Sequence, residues 1–544
     1  MPPLSDDHAL LDQRALIAAL HAPACYRHPV RRIRHIETHI SHILLTGRGA
    51  YKIKKPVDLG FLDFTSLQAR HYYCEEEVRL NRRLAPGLYR TVVPICGELH
   101  APRVGGTGPL LEYAVAMSEF PQAALLSRRL ERGRLVPDAL AAVAARVAAF
   151  HDGASRAARG ASFGSAALLN SAVHDNFARI EPYLHGDRAS RQLAILRDWN
   201  VAALARHASA IDRRRDTGFV RECHGDLHVG NVAWLDDAPC IFDCIEFSPA
   251  LRWIDVMNEA AFFVMDLECR GHAALAWTFL NAYLAATGDY DGVELLALFE
   301  NYRALVRAKV NLIRAEQFSG SGAHAVATLH EAQRYLDYAL ALTRQRRPLL
   351  LLMHGLSGSG KTTMARALAA SLPALLVRSD LERKRLAGVR PLERVAPERA
   401  TELYSPATSR RTLDALVRAA DVCLRAGLDL IVDAASLSRD WRDRLHAAAR
   451  RLDAVTLLVS CEAPLRELER RVTARERRND DASDATVAVV LQQVATAAPL
   501  ESDELGRTIR VDTERCDVGA AVRRIRAALP AYIESGGRVH PTRT

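Results

Sequence analysis

Between residues 29 and 55 apolar and polar positions alternate with a period of two. VRRIRHIE, HISHILL and AYKIK therefore read as three strands parted by short polar breaks, and the turn TGRGA carries two glycines. Residues 66–84 predict a helix, with Val78, Leu80 and Leu84 set among charges. TVVPICGEL and LLEYAVAM predict two further strands, and from about residue 134 the texture turns helical and Ala-rich (PDALAAVAARVAAFHDGA). A small β-rich lobe, about 29–120, is thus followed by a helical lobe, about 121–345. FSGSG at 318–322 reads as a flexible break, Ala323–Arg344 as a helix, and the run RQRRP places a domain boundary near Gln345–Pro348. Over 346–544 apolar strands (LLLLMHG, ALLVRSD, LDLIVDAA, AVTLLVS) alternate with helices, the pattern of a parallel α/β sheet covered on both faces. The two halves differ in texture, and no internal repeat is visible.

A chain of 544 residues is too long for one ordinary core. No run approaches the roughly 18 apolar residues of a membrane span, and MPPLSDDHAL has no signal-peptide h-region. The ten cysteines are scattered without a CxxC pair, which predicts reduced thiols in a cytoplasmic core and not a disulfide or zinc framework. The net charge of +9 is spread along the chain; it points to heavy arginine use and sites for anionic phosphates more than to nucleic acid.

Only six of the 73 basic residues are lysines: Lys52, Lys54, Lys55, Lys309, Lys361 and Lys384. A compact ammonium and a forked guanidinium are not interchangeable, so each surviving lysine is a candidate for a specific task. His35, His39 and His42 invite a metal reading. On alternating strands, however, 35 and 39 share a face and 42 does not, which argues against a shared ion.

GLSGSGKT at 355–362 satisfies G-x-x-x-x-G-K-[ST] between a predicted strand and a predicted helix. Gly355, Leu356, Ser357, Gly358, Ser359, Gly360, Lys361, Thr362 and Thr363 form the candidate nucleotide loop. Its backbone N–H groups turn inward around phosphates and the helix N-terminus adds positive potential. Lys361 is expected to reach the β- and γ-phosphates of ATP, and the Thr362 hydroxyl to ligate Mg²⁺. Asp433, closing the apolar run before it, is the expected second magnesium ligand. Asp380, at the end of ALLVRSD, either accepts the proton of an acceptor hydroxyl or, with Ser379, caps the next helix; Arg383 is placed to hold an anionic substrate. In RRVTARERR at 470–478, Arg471 and Arg475 share a helix face and read either as lid arginines or as a solvated basic face. GLSGSGKTT, RSDLERKRL and RRVTARERRNDDASDA resemble the small P-loop kinases related to gluconate, adenylylsulfate and polynucleotide 5′-hydroxyl kinases. The resemblance covers about 348–530 and implies phosphorylation of a hydroxyl.

HGDLHVGN at 224–231 has the form H-x-D-x-x-x-x-N, and Asp243 follows in IFDCIEF. This resembles the aminoglycoside phosphotransferase-like kinases, whose fold is related to protein kinases. The resemblance implies Asp226 as base, Asn231 and Asp243 as metal ligands, and His224 as a brace of the loop. Upstream, Lys54 is chosen as the nucleotide lysine with Lys52 as alternative, since both point to one face of AYKIK. Glu77 is either their partner or a solvated acid beside Glu75 and Glu76. Lys309 reads equally as a substrate contact or a lysine at the core edge. The G-x-G-x-x-G loop of protein kinases is missing; ETHIS stands in its place. Together with THISHILLTG and AYKIKKPVDLGFLDF, the resemblance spans about 30–315 and is to the bacterial phosphotransferase-like family often fused to a P-loop kinase.

The expectation is therefore an α+β bilobal protein-kinase-like domain over 1–345 and an α/β P-loop NTPase domain over 346–544. Each would use ATP and Mg²⁺ to phosphorylate a small-molecule hydroxyl, with no membrane partner. Three alternatives stand beside it: a regulatory N-terminal module, a polynucleotide 5′-end kinase, and an ATP-hydrolysing switch.

Overall fold

The computed structural model describes residues 6–60, 62–317, 322–390, 393, 402–478, 483 and 485–529. The chain folds into two compact units. The first comprises the residues through Leu135, Ala149–Ser165 and Asp212–Glu259; the second comprises Val136–Ala148, Ala166–Ile211 and the chain from Ala260 on. The position Gln345–Pro348 lies inside the second unit, and the FSGSG segment as far as 321 lies outside the described residues.

The first unit is built on an antiparallel sheet of β1 (Arg34–Glu37), β2 (Ser41–Leu45), β3 (Gly49–Lys54), β4 (Tyr89–Glu98), β5 (Ala101–Val104) and β6 (Leu110–Ser118), in the order β1-β2-β3-β6-β4-β5. The two faces carry different chemistry because successive side chains alternate. On one face Leu44, Ile53, Ile95, Val104 and Ala114 meet Leu16, Ile17 and Leu20 at the end of the helix Asp6–Ala19 and just beyond it. On the other, Val115 and Tyr89 meet Cys74 and Val78 of the helix Leu67–Asn81. That helix begins at Ser66, whose hydroxyl accepts from the Ala69 N–H at 3.1 Å. It buries Arg70, Cys74, Glu77, Val78 and Asn81, a helical stripe that is polar at the positions facing β3. The N-terminal helix and β5 had no clear sequence signature: the first is weakly amphipathic and β5 is four residues containing a proline.

The histidine reading needs correction. Glu37 and His42 are cross-strand partners in the β1–β2 hairpin, so they share a face, and His35 lies on that face two residues before Glu37. His35 Nε2 and His42 Nδ1 are 3.0 Å apart. Alternation counted along one continuous chain fails here because the turn between the strands resets the phase.

β7 (Val220–Glu222) pairs with β10 (Trp253–Asp255), and β8 (Val232–Leu235) with β9 (Ala238–Ile241). The β8–β9 hairpin has a clear consequence for chemistry. Its Val232–Ile241 pairing carries Asn231, before the first strand, beside the segment leading to Asp243, after the second, and the Phe242 N–H donates to the Asn231 carbonyl at 3.0 Å.

The second unit contains the helices Ala273–Thr287, Leu296–Gln317 and Gly322–Leu342. It also contains a five-stranded parallel sheet of β11 (Leu349–His354), β12 (Ala374–Arg378), β13 (Asp429–Asp433), β14 (Val455–Glu462) and β15 (Thr508–Asp512), in the order β12-β13-β11-β14-β15. Burial on both faces explains the unbroken apolar runs of its strands. β15 escaped prediction because TIRVD buries only Val511 fully.

Edge strand β12 is closed by the helical part of its own unit. Asn281 donates from Nδ2 to the Ala374 carbonyl at 3.0 Å and accepts the Leu376 N–H at 2.8 Å, as a neighbouring strand would. The Tyr290 hydroxyl adds a bond to the Leu376 carbonyl at 3.1 Å. Asn281→Leu would strand a donor and an acceptor on that edge. We expect the urea midpoint of the second unit to fall, by about 1–3 kcal/mol of stability, with no loss of secondary structure in circular dichroism.

Candidate active sites

In the second unit the glycine loop leaves β11 and enters the helix Lys361–Ser371. Gly355 has φ +134° and an added Cβ would lie 2.3 Å from the Cys461 carbonyl oxygen, so only glycine fits where the loop crosses β14. The Ser359 hydroxyl is buried inside the curl with no hydrogen-bond partner among the described residues. Lys361 Nζ donates to the Leu356 carbonyl at 2.7 Å, across the loop it serves. Burial draws its pKa below the ordinary lysine value while Asp433 opposes that.

The Thr362 hydroxyl donates to Asp433 Oδ2 at 2.8 Å. Arg378, opposite Asp433 in the β12–β13 ladder, holds the same oxygen at 3.3 Å. Burial raises Asp433, and Arg378 and Thr362 offset part of that rise. A hydroxyl and a carboxylate converging on one point at the C-terminal end of a parallel sheet are a donor set for a hard, oxygen-liking cation. This pair fits Mg²⁺.

One cavity of about 690 Å³ is lined by Gly358, Lys361, Thr362, Asp380, Arg383 and Asp433, with Tyr404, Trp441, Arg471 and Arg475 among its other walls. The helix Ser379–Leu386 carries Asp380 in its first turn, and its N-cap is Arg378, so neither Ser379 nor Asp380 is the cap the sequence offered. Arg383 is buried, stacks over Tyr404 with its Cζ 5.0 Å from the ring centre, and donates from Nη1 to Leu403 O and Ser409 Oγ. Its Nε has no hydrogen-bond partner among the described residues.

Arg471 and Arg475 lie on the helix Leu465–Arg478 and both reach the cavity wall. Arg471 bonds Glu467, the Gly358 carbonyl and Thr513; Arg475 donates to the Ala485 carbonyl at 2.9 Å. They are therefore anchored and are not a freely solvated face. Of the following acidic segment DDASDA, residues 480–482 and 484 lie outside the described residues. Sequence reading missed Arg378, Tyr404 and Trp441, which no local motif marks.

In the first unit, Asp226 and Asn231 share one tight loop. Asn231 Nδ2 donates to both the carbonyl and Oδ2 of Asp226, at 3.0 and 3.1 Å. His224 is buried, its Nε2 lies 2.9 Å from the Phe242 carbonyl, and its Nδ1 accepts the Asp226 N–H at 3.3 Å. It thus ties the loop to the strand end that carries Asp243.

Gly225 has φ +89°, and a Cβ there would lie 2.8 Å from the Leu251 carbonyl. The backbone N–H groups of His224 and Gly225 both donate to Glu259, at 3.1 and 2.6 Å, and His151 Nε2 sits 2.8 Å from the same carboxylate. Glu259 is fully buried, and His151 with these N–H groups holds it at about 2 against the upward push of burial. This brace, 35 residues downstream of His224, had no sequence signal.

The lysines of β3 separate by environment. Lys52 Nζ bonds Asp243 Oδ1 at 2.7 Å and Glu77 Oε1 at 2.8 Å. Lys54 Nζ bonds Glu77 Oε2 at 2.7 Å and also Glu246 Oε1. Lys52 therefore touches the half-exposed Asp243 (47% side-chain exposure), whereas Lys54 is sealed between two carboxylates that are 1% and 4% exposed. Burial opposes the charge of Lys52, but Asp243 and Glu77 raise its pKa well above the ordinary lysine value. Glu77 is no solvated acid: it is fully buried and its two lysines hold it at about 2. Lys309, in the second unit, pairs with Asp175 at 3.1 Å.

Comparisons with known proteins cover both parts of the chain. A phosphotransferase enzyme family model matches residues 61–296, and an AAA domain model matches 350–500. An uncharacterized protein of Mycobacterium tuberculosis is 30% identical over 479 residues, covering 86% of this chain and 91% of its own length. An alignment of that length has to cross from one domain to the other. The chain belongs to this family, which joins a phosphotransferase-type domain to a P-loop kinase-type domain. It is an ATP-dependent phosphotransferase, with a kinase-like N-terminal fold and a P-loop kinase-type C-terminal domain.

Among solved structures, a gluconokinase from Sinorhizobium meliloti is 20% identical. It covers 35% of this chain and 99% of its own, with a TM-score of 0.25. A choline/ethanolamine kinase family protein from Mesorhizobium loti is 13% identical, covers 61% and 98%, and has a TM-score of 0.36. Likenesses at this level say nothing of substrate. Among the described residues no helix is long and apolar enough to cross a membrane.

Proposed function

We propose that both domains of this tandem kinase, 1–345 and 346–544, are catalytic. Each would transfer the γ-phosphoryl group of ATP to a hydroxyl on a small molecule in the cytoplasm. The observation that carries the reading for the C-terminal domain is the single cavity that brings the phosphate loop, the Thr362–Asp433 pair, Asp380 and Arg383 together.

There Lys361 and the loop N–H groups hold the phosphates, and Asp380 takes the proton of the attacking hydroxyl. Arg471 and Arg475 supply cations at the transferring group. Arg383, buried and with no partner for its Nε among the described residues, favours an acceptor that carries an anionic group.

In the N-terminal domain Asp226, oriented by Asn231, takes the hydroxyl proton, and Lys52 is the nucleotide lysine. Lys54 pairs with both Glu77 and Glu246 and keeps them in place. Mg²⁺ would be held by Thr362 and Asp433 in one site and by Asn231 and Asp243 in the other, and would offset phosphate charge.

Arg383→Met tests the acceptor side. With the acceptor found by labelled-ATP transfer to fractionated metabolites, KM for that acceptor is expected to rise about 10–100-fold, with KM for ATP little changed. An unchanged acceptor KM removes Arg383 from the site. A rate that instead falls steeply with salt on oligonucleotide ends points to nucleic acid.

A further inference from the structure

The β1–β2 hairpin carries a cluster that phosphoryl transfer does not use. Donor atoms of His35, Glu37 and His42 all lie within 4.8 Å of one another. The facing nitrogens, His35 Nε2 and His42 Nδ1, are 3.0 Å apart. Two imidazoles on one tetrahedral zinc, each at about 2.0–2.1 Å, have nitrogens roughly 3.3 Å apart, close to this spacing; ligation would replace the N–H···N bond of the pair, the donor ring shifting its proton to its other nitrogen.

All three residues stand on paired strands, with Glu37 directly opposite His42, so the donors are set by backbone register and not by loop folding. The ring of His21 lies edge-on to His35, with centres 5.6 Å apart.

The nucleotide-side groups lie on the other face of the sheet. Lys52 and Lys54 are cross-strand partners of Ile43 and Ser41, whereas His42 faces Ile53. An ion here would therefore be separate from the Mg²⁺ of catalysis. Imidazole-rich donors favour zinc-like ions over magnesium or calcium.

We propose that His35, Glu37 and His42 form a binding site for one divalent transition-metal ion of the zinc class, fixing the β1–β2 hairpin on the face opposite Lys52 and Lys54. Lys55 is the resident competitor: its Nζ donates to Glu37 Oε1 and to the Thr38 carbonyl, each at 2.6 Å. Metal entry exchanges that ammonium for the ion at the carboxylate. A purely structural hydrogen-bonded histidine pair makes no such demand on Lys55.

The test is titration of the full chain, stripped with chelator, with Co²⁺, followed by its visible ligand-field absorption and by displacement with Zn²⁺. The expected result is a four-coordinate spectrum saturating at one equivalent. It is lost in His35→Ala and His42→Ala, kept in His39→Ala, and reached at several-fold lower Co²⁺ in Lys55→Gln. If His42→Ala does not fold, His35→Ala, at a half-buried position, decides the question. No visible band, or a band unchanged in His35→Ala (as cysteine ligation elsewhere would give), overturns the proposal.

Discussion

Lys361→Ala is expected to cut C-terminal phosphotransfer by on the order of 10²–10³-fold while leaving the fold intact. The magnitude is that of removing one preorganised transition-state donor. Among the described residues the side chain makes one hydrogen bond, to the Leu356 carbonyl of its own loop, and no carboxylate depends on it as sole partner. Asp433 keeps Arg378 and Thr362. Truncation therefore removes charge at the phosphates without leaving a buried anion uncompensated. Steady-state kinetics with γ-labelled ATP, alongside a melting curve, checks both halves of the expectation. A large fall in melting temperature would mean that Lys361 also holds the loop together.

The second large effect is on stability, and it separates the two lysines of β3. Lys54→Met is expected to destabilise the first unit by about 3–5 kcal/mol, because Glu246 and one oxygen of Glu77 would be left buried without their cation. Against a typical total of about 5–15 kcal/mol this is a severe loss. Lys52→Met leaves Glu77 its bond to Lys54 and leaves Asp243 half exposed to water, so it should cost far less stability while removing N-terminal transfer activity.

Urea unfolding of both variants, read beside activity, distinguishes a structural from a nucleotide-binding lysine. Two buried carboxylates of the first unit, one beside the β3 lysines and one under the His224 loop, set an acid limit. Glu77 and Glu259 sit near 2 in the fold against an ordinary 4.5. Their contribution is therefore full above pH 4.5 and is lost as pH falls toward 2. Acid unfolding monitored by tryptophan fluorescence should begin in that window.

What could be read from the sequence was local. The glycine loop, the Asp226–Asn231 spacing and the apolar strands of the parallel sheet each lie within a few residues, where backbone geometry alone dictates the outcome. Glu77 stood in the sequence as either a lysine partner or a solvated acid, and local pattern could not choose, since the choice depends on Lys52 and Lys54 arriving together from β3.

Glu246, Glu259 and His151 were invisible because their importance comes from long-range closure. His151 and Glu259 are 108 residues apart, yet they meet under the His224 loop. The His35–His42 pairing failed for a different reason. Alternation tells which face of its own strand a residue takes, but the hairpin register decides which residues across the turn join it. Asn281 on the edge of β12 combines both difficulties: it is a helix residue acting as a strand partner 93 positions away.

The central claim is that one chain carries two working phosphoryl-transfer sites. The most direct measurement is γ-phosphate transfer from labelled ATP to a fractionated metabolite extract by the wild type, Lys361→Ala and Asp226→Ala. The account predicts that each variant removes a different labelled product and spares the other, with Asp226→Ala lowering its own product by roughly 10²–10⁴-fold, the range for loss of a general base. If only Lys361→Ala matters and Asp226→Ala leaves every product unchanged, the N-terminal domain is not a catalyst and the claim of two sites is contradicted.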